Sequence, residues 1–143
     1  MTRLFAGWGF RAAAQPASFA DCWARACEPG DWTFALLESR RQTPAWAAFH
    51  AWAAGAAPHA ALHAWPESAI ARIATASVSP RLMGRFATGS VCEALALHAA
   101  CSQADTPDAQ ITLVLRRIVS ADRQATLAVA AWPAQILATG VSS

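Results

Sequence analysis

Residues 111–131 read ITLVLRRIVSADRQATLAVAA, and this stretch decides the fold class. Ile111 to Val119 is rich in β-branched and apolar residues, with Leu113 and Val114 at its centre, and reads as a strand. Ala125 to Ala131 reads as a second strand, and a turn lies around Ala121-Asp122. The two runs either pair as a hairpin or lie apart in one sheet. So short a connection suits antiparallel strands, whereas parallel neighbours need a long crossover. An antiparallel pair after a chain of alternating strands and helices predicts a mixed sheet.

The upstream sequence supplies that alternation. Arg3 to Ala6 reads as a first strand running into a tight turn at Gly7-Trp8-Gly9. Phe19 to Cys27 reads as a helix with Ser18 as its N-cap, because Phe19, Trp23 and Ala26 share a face. Pro29-Gly30 stops it, and Trp32 to Leu37 is short and apolar enough for a buried strand. Pro44 opens a second helix, with Ala45, Phe49 and Trp52 as its apolar stripe and Gly55 and Pro58 at its end. Ala60 to Ala64 reads as a short third strand. Pro66 opens a further helix reaching about Ile73. A helical piece follows over Arg81 to Phe86, and a longer helix over Gly89 to Ala100. The tail after Trp132-Pro133 reads as poorly ordered or as a short appended helix. Strands alternating with helices favour an α/β fold with helices on both faces of the sheet.

The 143 residues match one average domain, predicted to span 1–143 with no internal repeat or long linker. Of the residues, 55% are hydrophobic, but 38 are Ala, so seven Trp and six Phe must carry much of the packing. Charged residues are 14% and the net charge is +2, which gives a nucleic-acid function no electrostatic support. All eleven basic residues are Arg. GC-rich coding accounts for that, yet guanidinium forks also suit a polycarboxylate ligand. The N-terminus lacks a long apolar run before a cleavage site, and no stretch approaches 18 strongly apolar residues. The expectation is a cytoplasmic protein with no membrane partner.

Three constellations are candidates for chemistry. Gly7, Gly9 and Arg11 follow the first strand, where glycines let a backbone approach an anion; an ordinary turn explains them equally. The second is Thr88-Gly89-Ser90-Val91-Cys92-Glu93. Ser90 and Glu93 are spaced as a capping box, and the same helix start is an anion site. Third, Ser77, Ser79 and Arg81 precede that helix, and Arg72, Arg81 and Arg85 either form a carboxylate-binding rim or a solvated face.

Several chemistries are not supported. The first glycine turn lacks the third glycine of a dinucleotide fingerprint, and no P-loop or G-x-S-x-G elbow occurs. Cys22, Cys27, Cys92 and Cys101 form no C-x-x-C and read as free thiols. His50, His59, His63 and His98 read as structural or surface residues, since Pro58 and Pro66 argue against one helix carrying both His59 and His63. No metal and no cofactor is read from these patterns.

These pieces occur in the order of a known family. The Gly7-x-Gly9-x-Arg11 turn, the apolar strand before the polar segment in Phe34 to Arg41, and the serines Ser77 and Ser79 come first. The helix start Gly89-Ser90-Val91-x-Glu93-Ala94-x-Ala96-Leu97 and the strand Thr126-x-Ala128-x-Ala130 follow. In this the chain resembles the CobE and CbiG C-terminal domain family of cobalamin biosynthesis, over residues 3 to about 131. It departs from the family at a Thr-x-x-x-Lys segment, where it has Leu37-Glu38-Ser39-Arg40-Arg41. The resemblance implies a three-layer α/β/α sandwich around a mixed β-sheet. It also implies a role on tetrapyrrole intermediates, with other corrin-pathway enzymes as partners. CbiG as a whole opens a lactone on ring A of a cobalt-precorrin, and its C-terminal domain is one part of that protein.

Three functions follow from this reading. The first is an accessory or carrier protein binding a precorrin or corrinoid, with Gly7, Gly9, Arg11, Ser77, Ser79, Arg81, Thr88, Gly89 and Ser90 as ligand contacts. The second is a hydrolase or lyase acting on a precorrin, with Glu93 as general base and the Gly89 turn as oxyanion site. The third is a structural or regulatory subunit without a ligand.

Overall fold

The computed structural model describes residues 3–26, 29–71, 90–103 and 111–132. Five strands form one sheet: β1 (Arg3–Phe10), β2 (Asp31–Leu37), β3 (Ala61–Trp65), β4 (Thr112–Val119) and β5 (Ala125–Trp132). Four helices are described: α1 (Pro16–Ala26), α2 (Pro44–Ala56), α3 (Glu67–Ile70) and α4 (Val91–Gln103). The strand order is β3-β2-β1-β5-β4. β1, β2 and β3 run parallel, while β5 is antiparallel to both β1 and β4. The sheet is therefore mixed and the architecture α/β, as expected. The last two strands do pair as a hairpin, and β5 is also inserted beside β1.

Alternation along β1 sorts the core into two layers. Leu4, Ala6, Trp8 and Phe10 face α1 and α2, and Phe5 packs on the opposite side with Leu95, Ala96 and Ala99 of α4. The first layer is aromatic. Trp8 contacts Phe19, Phe34, Phe49 and Trp52 edge-on, with centroids 5.2–5.9 Å apart. Burying each such side chain contributes about 1.5–3 kcal/mol, so these rings carry much of a layer completed by Leu4, Leu36, Leu127, Val129 and several alanines. The second layer is the reverse. Ala94, Ala96, Ala99 and Ala100 bring α4 close to the sheet, where Ala35 and Ala130 face it.

That close approach corrects the reading of the first glycines. Gly7-Trp8-Gly9 is not a turn; β1 continues through it to Phe10, with Gly7 opposite Ala128 and Gly9 opposite Thr126. A Cβ on Gly7 would come 1.9 Å from the Cys92 carbonyl oxygen and 2.6 Å from the Ala96 nitrogen. Glycine is needed there because a helix backbone lies on the strand, not because the strand ends.

The first helix also begins earlier than its pattern suggested, at Pro16, whose fixed φ and missing N–H suit a helix start. Ser18 sits inside the first turn and is buried. Its hydroxyl accepts the Gln15 N–H at 3.2 Å and donates to Asp122 at 2.6 Å, tying α1 to the β4–β5 turn. The helix after Pro66 ends at Ile70 rather than near Ile73. The segment around Arg81 to Phe86 and the tail after Trp132 lie outside the described residues. No helix among the described residues is long and apolar enough to cross a membrane.

Candidate functional site

In open α/β sheets, ligands bind outside the carboxyl ends of the strands, where the strand order reverses. Here that point lies at β1, between β2 on one side and β5 on the other. A cleft of about 290 Å³ opens there. Its walls come from the end of β1, the end of β2 with the 3₁₀ turn Glu38–Arg40, the first turn of α4, and the β4–β5 hairpin. Val91 and Val119 supply the accessible apolar surface, Trp8 and Phe10 lie buried beneath, and Arg11, Arg40, Arg117 and Arg123 line the cleft around them. Among the described residues that line it, none is acidic. The cleft therefore favours anions, and Arg forks recognise carboxylates in a bidentate way.

Local structure places each of these arginines. Arg11 leaves β1, and its N–H donates to the Gln124 carbonyl at 2.8 Å, joining the strand end to the hairpin. Arg123 stands in the hairpin turn with φ of 62°, the left-handed region. The turn is held by Ser120, whose hydroxyl donates to Asp122 at 2.6 Å and accepts the Ala125 N–H at 3.0 Å. Hydrogen bonds from the Ser120 and Ser18 hydroxyls hold the Asp122 carboxyl below its ordinary pKa. Arg117 projects from an irregular part of β4: Leu115 is opposite Val129, but the next partner pair is Ile118 with Leu127.

The helix start expected as an anion site forms the inner wall, where Val91 and Cys92 line the cleft. The first turn of a helix presents N–H groups without helical acceptors. The Glu93 N–H is an exception, since it donates to the Ser90 hydroxyl at 3.4 Å as one half of a capping box. Both residues are fully buried. The Glu93 side chain reaches across to β4, where Oε2 accepts the Arg117 N–H at 2.8 Å. Burial pushes the Cys92 thiol up to about 11 despite hydrogen bonds with Ser90 and Thr126.

The expected site residues divide into three groups. Gly9 and Arg11 line the cleft together with the residues that follow Ser90. Gly7, Ser90 and Glu93 are covered: Gly7 by α4, and the other two within the helix–sheet interface. Ser77, Ser79, Arg81, Thr88 and Gly89 lie outside the described residues, as do Arg72 and Arg85. The sequence reading missed Arg117 and Arg123. Arg116-Arg117 was a visible signal, two charges inside an apolar strand. Arg40 does line the cleft at the family's lysine segment, and Arg41 instead stands 5.7 Å over the Trp46 ring.

His63 and His98 both pack on Trp65, while His50 lies apart on α2. His50 bonds the Trp46 carbonyl one turn back, at 2.8 Å, and His98 packs edge-on against Trp65 at 4.5 Å. Among the described residues no cluster of three or more His, Cys, Asp or Glu could hold a metal ion.

Fold and cleft together define an α/β protein with a mixed sheet and an anion-favouring site at its strand ends. The chain belongs to the family described as cobalamin synthesis G C-terminus, whose model matches residues 4–130. Its fold is that of CobE, solved as a protein from the cobalamin (vitamin B12) biosynthetic pathway. The two superpose with a TM-score of 0.67 at 18% identity, over 91% of this chain and 90% of that one. No curated protein matches the chain.

Proposed function

We propose that this chain binds a tetrapyrrole intermediate of cobalamin synthesis at the arginine-lined cleft and serves as an accessory or carrier protein. The observation that carries the reading is the four arginines Arg11, Arg40, Arg117 and Arg123 lining the cleft around Val91 and Val119, with no acidic residue among the described lining. A precorrin or corrinoid offers the complement, an apolar ring with acetate and propionate arms. At about 290 Å³ the cleft is at the low end for small-molecule sites, so it takes one edge of a macrocycle with its arms. Thr88 and Gly89 stand shortly before Val91 of the inner wall, and the proposal extends to them and to Ser77, Ser79 and Arg81 as ligand contacts, while buried Ser90 caps the helix. The setting would be the cytoplasm, with other corrin-pathway enzymes as partners.

A second reading makes the chain a hydrolase or lyase with Glu93 as general base. It has less support, because that carboxylate is fully buried, bonded to the Arg117 N–H and not part of the described lining.

Titration with hydrogenobyrinic acid, followed by tryptophan fluorescence and by mass, tests both. The expected result is saturable quenching with no mass change. Arg40→Ala/Arg117→Ala should weaken binding by about tenfold or more, since charge-assisted contacts contribute roughly 1.5–3 kcal/mol each. A mass change supports the enzyme, and unsaturable quenching that the arginine variants leave untouched sinks the binding reading.

A further inference from the structure

Glu93 is fully buried, and its side chain reaches beyond the helix start to another element. In the box the Glu93 N–H donates to the Ser90 hydroxyl. Alanine at position 93 would keep that bond. A carboxyl with 0% exposure is costly to hold unless it is hydrogen-bonded, so its partners bear on its role.

One partner across the fold is the Arg117 N–H, 24 residues away in sequence. Between Leu115 and Ile118, β4 advances three residues while β5 advances two, from Val129 to Leu127. This is a β-bulge, which breaks the ladder, leaves a backbone group in need of another acceptor and re-aims a side chain. Glu93 supplies the acceptor. Inside the irregularity the two neighbours diverge: Arg116 is exposed, whereas Arg117 is half-buried and lines the cleft.

We propose that Glu93 is a positioning residue: by accepting the Arg117 N–H, its buried carboxylate fixes the β4 bulge that turns the Arg117 guanidinium into the cleft. The proposal rests on the reading of that cleft as an anion site. It differs from general-base catalysis, because the carboxylate acts on the β4 backbone and not on the ligand. Glutamine can take over this task, since its side-chain oxygen also accepts an N–H. Methionine has similar length and no comparable acceptor.

The test is a double-mutant cycle with hydrogenobyrinic acid as probe, together with hydrogen exchange at the Arg117 amide. Glu93→Gln should bind within about threefold of the parent, while Glu93→Met and Arg117→Ala should each lose about tenfold. Combining Glu93→Met with Arg117→Ala should lose no more than Arg117→Ala alone, a coupling that general instability of the fold would not produce. The Arg117 amide should be protected in the parent and in Glu93→Gln and exposed in Glu93→Met. Additive losses overturn the proposal, as does a glutamine variant as weak as the methionine one. If the parent binds no probe, the reading of the cleft fails and the ligand-facing claim with it. Exchange then judges the tether alone, and an unprotected Arg117 amide in the parent overturns that too.

Discussion

Gly7 of β1 lies directly beneath the Cys92 carbonyl of α4, with 1.9 Å between that oxygen and the place a Cβ would occupy. Two backbones meet there without a side chain between them. The same helix turn that covers Gly7 presents Val91 and Cys92 to the cleft. The seating of α4 on the sheet therefore sets the inner wall of the site.

Gly7→Ala should cost about 3 kcal/mol or more, because the atoms it meets are backbone and cannot rotate aside. Gly9→Ala should cost only about 1 kcal/mol, since its obstacle is the Thr126 hydroxyl, the end of a side chain that can turn. Urea midpoints of the two variants check the ranking. Equal losses would contradict it.

Arg123→Gly should move stability and binding in opposite directions. Arg123 holds a φ of 62°, which glycine adopts without strain, so the unfolding free energy should rise by about 0.5 kcal/mol. The same change removes a guanidinium from the cleft, so affinity for hydrogenobyrinic acid should fall. Arg123→Ala should weaken binding without the gain in stability.

Acidification should destabilise the fold through His98. Burial lowers the pKa of this imidazole below its ordinary 6.5, so the unfolded chain takes up the proton first as pH falls. The contribution of His98 is thus fully present above about pH 6.5 and is lost as pH falls through the lowered value. His98→Phe, which keeps a ring against Trp65, should flatten urea midpoints measured between about pH 7.5 and 5. Asp122 acts in a separate window. Its carboxyl is held below the ordinary 3.8, so its contribution is lost only as pH falls further, through that lowered value.

The thiols should divide by burial. Cys22 and Cys92 are buried, and desolvation pushes both up to about 11, so little thiolate forms near neutrality. Cys101 is exposed. In a Cys27→Ser background at about pH 8, an aromatic disulfide reagent should modify Cys101 within minutes and the other two only after denaturant is added. Rapid reaction of Cys92 in the folded protein would show that the first turn of α4 opens readily.

Much of the sheet was legible because its signals are local. Ile111 to Val119 and Ala125 to Ala131 carry strand composition on their own, and Pro44 announces α2. Gly7-Trp8-Gly9 was misread because glycine serves turns and close packing alike, and the covering helix begins more than eighty residues later. Arg11, Arg40, Arg117 and Arg123 share no linear pattern. They meet because the strand order brings β5 and its hairpin beside β1. Glu93 showed the same limit: its spacing from Ser90 was visible, but its carboxylate answers to a bulge in another element.

The seat of β5 also bears on how the chain is made. A ribosome releases Arg3 long before Trp132, yet the two are partners in the finished sheet. Until β5 emerges, one side of β1 is an unclaimed row of amides and carbonyls beside Leu4, Phe5 and Trp8, a template for the wrong strand. Nascent chains stalled before Ala125 should therefore need a chaperone, and fragments ending there should clump where the longer chain stays in solution.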